Sequence, residues 1–404
     1  PESRVGHFTC FDSCEKGHFV YIGLGADLRT RKLFNDIWRY HLESSTWQKL
    51  DVTIDPKSGA RATIVNNINS TPSKHLLIFG GFANKRYFND IILIDLIELE
   101  KLEQINQEHR KQWIKNKNFV ISSSEQEKIS AIKSKIVKPL ITKNDNLRPC
   151  PRSAPVLANY MNKLFIWGGF NGKYPADISI LDLSTRTWRK DPNPVIMNGR
   201  TGCAYVTDGS KVYIYGGAND SKPIKDKNTE NSFHSSSSFN NLRRYSDFGD
   251  ESNHLYIFDM ETETMESVKT SGSIPEPNLM GAGMVKIEDY LIFLGGRKNV
   301  SQFSSQASTN VYSMSLNNFS WRILTVIPDG ITTRINDGNV SEDGAFQLPS
   351  IHSFSLVYDA PKRMLLTFLG QTSTGQMIEM NSLALCSAVA ENHLLHDMKD
   401  MLCY

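Results

Sequence analysis

A short, β-rich run closed by glycine recurs six times along the 404 residues, and no other feature of the sequence constrains the fold so tightly. HLLIFGGF at 75–82, KLFIWGGF at 163–170, KVYIYGGA at 211–218 and YLIFLGGR at 290–297 carry a Gly-Gly doublet, and FVYIGLG at 19–25 and LLTFLGQT at 365–372 are weaker copies. β-Branched and aromatic residues ending in glycine read as a strand running into a turn that needs positive φ or a close backbone approach. A period of this length marks one supersecondary unit stacked on its neighbours.

The flanks repeat too. A turn rich in Arg or small residues, then a first strand, precedes the run at Arg4 to His7, Arg61 to Thr63, Arg152 to Ala154 and Arg200 to Gly202, and less regularly at Asn278 to Gly281 and Ser350 to Ser353. A third strand follows it, in NDIWRYHL at 35–42, NDIILIDL at 89–96, ADISILDL at 176–183, HLYIFDM at 254–260 and NVYSMSL at 310–316. A fourth opens on Trp47, Trp188 or Trp321, with Met265 in the same place in the fourth copy. Four strands make one blade, and a lone blade cannot bury both of its faces. The succession R-x-G-H, apolar strand, Gly-Gly, third strand and Trp resembles the kelch repeat. That resemblance implies an all-β fold, a six-bladed kelch-type β-propeller over residues 1–385, in which neighbouring blades cover each other. The sixth copy departs from the pattern, with Gly370-Gln371 in place of the doublet and no Trp.

Two units are stretched. Gly81 to Gly169 spans 88 residues and Gly217 to Gly296 spans 79, against 48 from Gly169 to Gly217. The first insert, 98–147 in the second blade, places Leu99, Leu102, Ile105 and Trp113 at helical spacing; Ser124 and Glu127 then form a capping-box pattern ahead of Ile129, Ile132 and Ile136. Two amphipathic helices are expected, either docking a partner or packed on the outside of their own propeller. The second insert, 219–253, is poor in apolar residues and is expected to be disordered. Within it, Arg243-Arg244-Tyr245-Ser246 resembles the acceptor site of basophilic kinases, which makes Ser246 a candidate regulatory site. Residues 386–404 read as a C-terminal helix through Leu395, Met398 and Leu402. A helix leading out of a propeller resembles the approach to a BTB domain in kelch/BTB proteins, among which the leucine-zipper-like and fungal regulators of Ras-family GTPases place the propeller first.

Composition narrows the function. With 45 Lys+Arg against 43 Asp+Glu the formal charge is +2, unlike a strongly basic nucleic-acid binder. No apolar run reaches the roughly 18 to 20 residues of a membrane span, so no membrane insertion is expected, and Pro1 to Cys10 does not read as a leader. Six cysteines without a CxxC pair read as thiols in a reducing compartment, placing the chain in the cytoplasm. The glycine doublets end strands instead of opening helices, which excludes a phosphate loop, and no GxSxG, HExxH or EF-hand spacing occurs. His7, His18, His75, His254 and His352 are scattered through different units and read as structural. The expectation is a non-enzymatic interaction scaffold without a cofactor. The alternative is a kelch-like oxidase of the copper radical type, for which no ligand set can be identified.

The loops between second and third strands carry the candidate binding residues. These are Arg29, Arg31 and Lys32 in the first unit; Lys85, Arg86 and Tyr87 in the second; Lys173 and Tyr174 in the third; and Arg297 and Lys298 in the fifth. Strand order sends all these loops to one face, where loops on a rigid scaffold commonly bind. An arc of cations with tyrosines among them fits a protein partner with an acidic surface, such as the effector region of a Ras-family GTPase. The alternative is a solvated rim balanced by Asp51, Asp55, Asp191, Asp329, Glu342 and Asp343.

Overall fold

Where the glycine doublets stand, the backbone takes positive φ at two successive residues, 67° and 107° at Gly80 and Gly81 and 67° and 97° at Gly168 and Gly169. The two weak copies use Leu-Gly for the same step, Leu24 and Gly25 at 60° and 93° and Leu369 and Gly370 at 59° and 99°. The sixth doublet is therefore Leu369-Gly370, one residue earlier than the sequence pattern placed it. The second glycine also leaves no room for a side chain, since a Cβ on Gly217 would lie 2.4 Å from Cys203 Sγ. These steps end the second strand of four of the runs, and in Lys74–Ala83 and Tyr290–Asn299 they fall within it. The computed structural model describes residues 1–68, 72–117, 119–190, 198–219, 253–299, 305–327, 339–340, 346–372, 375, 380–385 and 401–403. They fall into two compact units, Pro1–Asn171 with Ala176–Val195, and Gly172–Pro175 with Ile196–Tyr404.

The first unit holds three antiparallel sheets, each of four strands. One comprises β1 (Phe8–Cys14), β2 (Gly17–Gly23), β3 (Ile37–His41) and β4 (Thr46–Lys49) in sequence order. The next comprises β5 (Arg61–Asn66), β6 (Lys74–Ala83) and β7 (Arg86–Asp95), then the helices α1 (Leu96–Lys115) and α2 (Ser123–Ile136), and last β8 (Val137–Pro139), which returns to pair with β7. The third comprises β9 (Val156–Tyr160), β10 (Lys163–Trp167), β11 (Ile178–Asp182) and β12 (Thr187–Lys190). The central strands are apolar almost throughout because both of their faces are covered, as in the buried Leu164-Phe165-Ile166-Trp167 of β10. The outer strand β12 buries only its Trp188, whose indole N–H donates to Thr142 Oγ1 at 3.0 Å.

One core of this unit joins Phe8, Tyr21 and Ile37 to Ala62, Leu76 and Ile94, and continues into Leu96, Leu99 and Leu102 of α1 and Ile136 of α2. The root of the helical hairpin therefore packs on its own sheets. Arg39 of β3 reaches Glu103 of α1 at 2.9 Å, and Lys133 of α2 reaches Asp51 at 2.9 Å, so Asp51 faces the helices and does not balance a loop rim. The capping box sits two residues earlier than expected. Ser122 caps α2, accepting from the Glu125 N–H at 3.3 Å while the Glu125 carboxylate accepts from the Ser122 N–H at 3.2 Å.

The second unit holds a four-stranded sheet of β13 (Ala204–Asp208), β14 (Lys211–Tyr215), β15 (His254–Asp259) and β16 (Thr264–Lys269). It also holds a ten-stranded sheet. Its main path joins β17 (Met280–Ile287), β18 (Tyr290–Asn299), β19 (Val311–Ser315) and β20 (Ser320–Ile327) to β21 (Ser355–Asp359), β22 (Met364–Phe368), β23 (Met380–Leu385) and β24 (Met401–Cys403). The described residues thus form five large sheets where six separate ones were expected, because β24 pairs with β23 antiparallel and with β20 in parallel and fuses two four-stranded runs. An exposed strand edge leaves backbone donors and acceptors unpaired, and β24 satisfies those of β20. Trp321 of β20 anchors the core here, against Tyr215 at 4.9 Å and Phe293 at 5.9 Å.

The C-terminal helix expected over 386–404 lies largely outside the described residues, and Met401–Cys403 within it form a strand. A short apolar run does not by itself distinguish helix from strand. The 219–253 insert, with Ser246, also lies outside the described residues apart from its two ends.

Candidate partner-binding surface

Four of the loops between a second and a third strand rest on a buried cation, Arg4, Lys57, Arg152 or Arg200. In the first sheet Arg4, wholly buried, donates to the Leu24 carbonyl at 3.2 Å and to the Asp36 carboxylate at 2.5 Å, so one guanidinium holds both ends of the loop 24–36. Burial works against the charge on Asp36, but bonds from Arg4 and from the Trp38 indole N–H outweigh it and hold the carboxyl below the usual range. Arg152 repeats the arrangement, donating to Gly168 O at 3.0 Å and to Asp177 at 2.8 Å. In the second unit Arg200 donates to Gly216 O at 3.3 Å and to Asn278 Oδ1 at 3.3 Å. In the second sheet the position belongs to Lys57, buried and bonded to both oxygens of Asp90 at 2.8 and 2.6 Å. Arg61, read from the sequence as the repeat's cation, instead donates to Pro155 O at 3.2 Å.

Two residues beyond each cation, and at Gly281 and Ser353 in the copies without one, the chain takes positive φ, and these positions bond to one another between neighbouring sheets. Gly59 N–H donates to Gly6 O at 2.7 Å and Ala154 N–H to Gly59 O at 2.6 Å. In the second unit Gly281 N–H donates to Gly202 O at 2.9 Å and Ser353 N–H to Gly281 O at 2.7 Å. Anchored this way, the loops project from fixed bases. In the first unit two bases meet on one segment: Gly25 N–H donates to Lys57 O at 2.8 Å, and Ser58 N–H donates to Phe82 O at 2.9 Å.

The loop 24–36 is a small hairpin, Ala26–Asp27 against Lys32–Leu33. Asp27 organises its tip, accepting from the Arg29 N–H and the Thr30 hydroxyl at 2.9 Å each. Those bonds, the Arg29 amide foremost, hold the Asp27 carboxyl below its ordinary range. The β6–β7 turn is made by Asn84 and Lys85, with φ of 49° and 61°, the two-residue geometry that matches strand twist.

The candidate cations divide by their partners. Arg29 faces Asp27 at 3.6 Å, Lys32 is bonded to Glu2 at 2.8 Å, and in the second unit Lys298 faces Glu276 at 3.6 Å. Arg31, Lys85 and Arg86 are exposed and form no ion pair among the described residues. Arg86 lies over the Phe88 ring at 5.7 Å, and Leu28 at the hairpin tip is 54% exposed. Tyr87 is half-buried between Phe82 at 4.7 Å and Phe170 at 6.1 Å, and burial raises its hydroxyl above the ordinary range. Lys173 and Tyr174 group with the second unit, where a Cβ on Gly199 would fall 2.3 Å from the Tyr174 carbonyl. Arg297 lies in β18, paired with Met280 and Ala307.

Sequence reasoning missed the aromatic shelf beside these cations. Phe82 and Phe170 each follow a Gly-Gly doublet, so the signal was present in the repeated GGF and was read only as the end of a strand. It also missed Lys57, whose side chain is 4.4 Å from the Phe88 ring as well as paired to Asp90.

The histidines have separate surroundings. His18 lies 2.6 Å from Glu43, His75 3.8 Å from Asp95, His254 2.7 Å from Ser267 and His352 3.1 Å from Ser353. Burial, then the charges of Arg4 and Arg61, push His7 down to about 3. Among the described residues no group of three or more His, Cys, Asp or Glu is arranged to hold a metal, and no helix is long and apolar enough to cross a membrane.

The sequence over residues 115–336 matches the family of the KLHDC2/KLHL20/DRC7 Kelch-repeats domain. This chain is a kelch-repeat protein. The kelch resemblance read from Gly-Gly and Trp is thus shown, and with it an all-β propeller carrying few helices. Over 188 residues, 44% of this chain, it is 27% identical to Rho GTPase-activating protein gacHH of Dictyostelium discoideum, and the match spans 11% of that protein. The solved structure of YjhT superposes with a TM-score of 0.57 over 95% of this chain and 96% of that one at 14% identity, which supports the fold alone.

Proposed function

We propose that this kelch chain is a non-catalytic interaction domain that docks the acidic surface of a small GTPase on the loops 24–36 and 84–87 of its first unit. The observation that carries this reading is the set of exposed cations without ion pairs among the described residues, Arg31, Lys85 and Arg86, standing on clamped loops beside the aromatic shelf of Phe82, Tyr87 and Phe170. Arg and Tyr are the side chains most often found as interface anchors, and fixed loops lose little entropy on binding. The name of the Dictyostelium relative, a Rho GTPase-activating protein, supports small GTPases as the partner class. A cytoplasmic setting belongs to the proposal and agrees with free thiols at Cys10, Cys14, Cys150 and Cys203.

The test is titration of the chain with purified small GTPases in both nucleotide states, at low salt where charge attraction is least screened. The double substitution Arg31→Glu and Arg86→Glu should weaken binding at least about tenfold, or about 1.4 kcal/mol, without altering thermal unfolding. Equal affinity for the double variant and the unmodified chain would remove these loops from the interface.

A further inference from the structure

We propose that the tip of the α1–α2 hairpin is a peripheral docking site for an anionic lipid surface. The hairpin has two unlike ends. Its root is buried through Leu96, Leu99, Leu102 and Ile136, whereas at its tip Trp113 is 55%, Ile114 73% and Val120 81% exposed. Residues 109–124 contain Arg110, Lys111, Lys115 and Lys117 and no Asp or Glu, and all four cations are exposed. The nearest acids are already engaged, Glu125 in the capping box, where it accepts from the Ser122 hydroxyl at 2.8 Å, and Glu108 at 3.9 Å from Lys111.

The tip has a defined shape. The Asn116 N–H closes the end of α1 on Gln112 O at 2.8 Å, the Phe119 N–H bonds Asn116 O at 2.9 Å, and the Phe119 ring turns back against His109 at 5.6 Å. With the Phe119 ring set against His109, Trp113, Ile114 and Val120 are left in water. Burial of a packed tip on its own sheets would have turned these residues inward as it did Leu99 and Leu102. A projecting aromatic and two aliphatic side chains framed by cations fit a deformable, negatively charged interface, where Trp sits at headgroup depth and Lys and Arg meet anionic headgroups. This surface is separate from the proposed GTPase-docking loops: the loop 84–87 stands at the start of the ten-residue strand β7 and the helices leave from its end, roughly 30 Å away along the strand.

The experiment is sedimentation of the full chain with phosphatidylcholine vesicles made with and without phosphatidylserine, at low and high salt. The chain should bind only the vesicles that contain phosphatidylserine, and high salt should release it. Lys115→Glu with Lys117→Glu, and separately Trp113→Ser with Ile114→Ser, should each lower partitioning at least about tenfold, with unchanged binding to GTPase. Brominated lipid should quench fluorescence of the unmodified chain, and Trp113→Phe should remove that quenching, a readout independent of how the other variants fold. Absence of binding to phosphatidylserine vesicles at low salt, or binding that survives both pairs of substitutions, overturns the proposal. So does a soluble acidic polypeptide that needs the same tip residues while vesicles do not.

Discussion

Arg4 and Arg31 serve the same hairpin of the first sheet in opposite ways. Arg4 is fully buried and ties Leu24 to Asp36, the two ends of the loop, while Arg31 stands exposed on the loop so fixed, at φ 58° and without an ion pair among the described residues. The same side-chain chemistry is thus structural where water is excluded and available where it is not. A buried cation stripped of its partner is strongly unfavourable, whereas an exposed one contributes little to stability either way. The loops can therefore vary in charge without disturbing the scaffold, provided the clamps beneath them are kept.

The largest expected effect tests the clamp. Arg4→Met should destabilise the chain by about 3–5 kcal/mol, because Asp36 keeps its charge in a poorly hydrated place after losing its guanidinium. Arg31→Met should change stability by less than about 0.5 kcal/mol. Urea unfolding midpoints of the two variants give the comparison directly. Replacing both partners, Arg4→Met with Asp36→Leu, should recover much of the loss. Equal, small losses for Arg4→Met and Arg31→Met would mean that the clamp does not hold the loop.

The clamps also mark the limit of what the sequence discloses. Gly-Gly and the outer-strand Trp identify the repeated sheets because each satisfies a local requirement, positive φ in one case and a buried anchor on an otherwise polar strand in the other. Lys57 was not legible as the second sheet's clamp, since Arg61 offers a better match to the motif and only three-dimensional pairing with Asp90 separates them. The fusion of two four-stranded runs by β24 depends on pairing between residues about 76 positions apart, such as Thr325 and Met401, which no local pattern encodes. At the candidate surface the cations were legible as residues, but their availability was not. Glu2 lies 30 positions before Lys32 and Glu276 lies 22 before Lys298, so which charges are already neutralised follows from the fold alone.

A second effect lies close to the clamp. His7, three residues after Arg4, is buried and neutral, with its folded value near 3 against about 6.5 in an unfolded chain. The unfolded state therefore takes up a proton that the folded state refuses. The stability His7 contributes is complete above about pH 6.5 and is lost as the pH falls from there toward 3, by roughly 1.4 kcal/mol per pH unit. His352, pushed down to about 4 by burial and then by Arg297, acts in the same sense. His7→Gln should flatten the fall in unfolding free energy between pH 6.5 and 4.5. Parallel pH profiles for the variant and the unmodified chain would show that the imidazole is reached by solvent.

The smallest effect is the sharpest probe of Arg31. A side chain at φ 58° is strained, whereas glycine tolerates that conformation, so the position is one where folding alone favours glycine. Arg31→Gly should leave stability unchanged or raise it by up to about 1 kcal/mol, the relief of strain being partly offset by the greater freedom glycine gives the unfolded chain. If Arg31 anchors a partner, the same change should weaken binding severalfold, so that stability and affinity move in opposite directions. The destabilising clamp variant Arg4→Met, by contrast, should lower both together, since it releases the base of the hairpin. Arg31→Gly with a more stable fold and unchanged affinity for the GTPase would leave Arg31 as a strained but idle residue, and the docking surface would then have to rest on Lys85, Arg86 and the aromatic shelf.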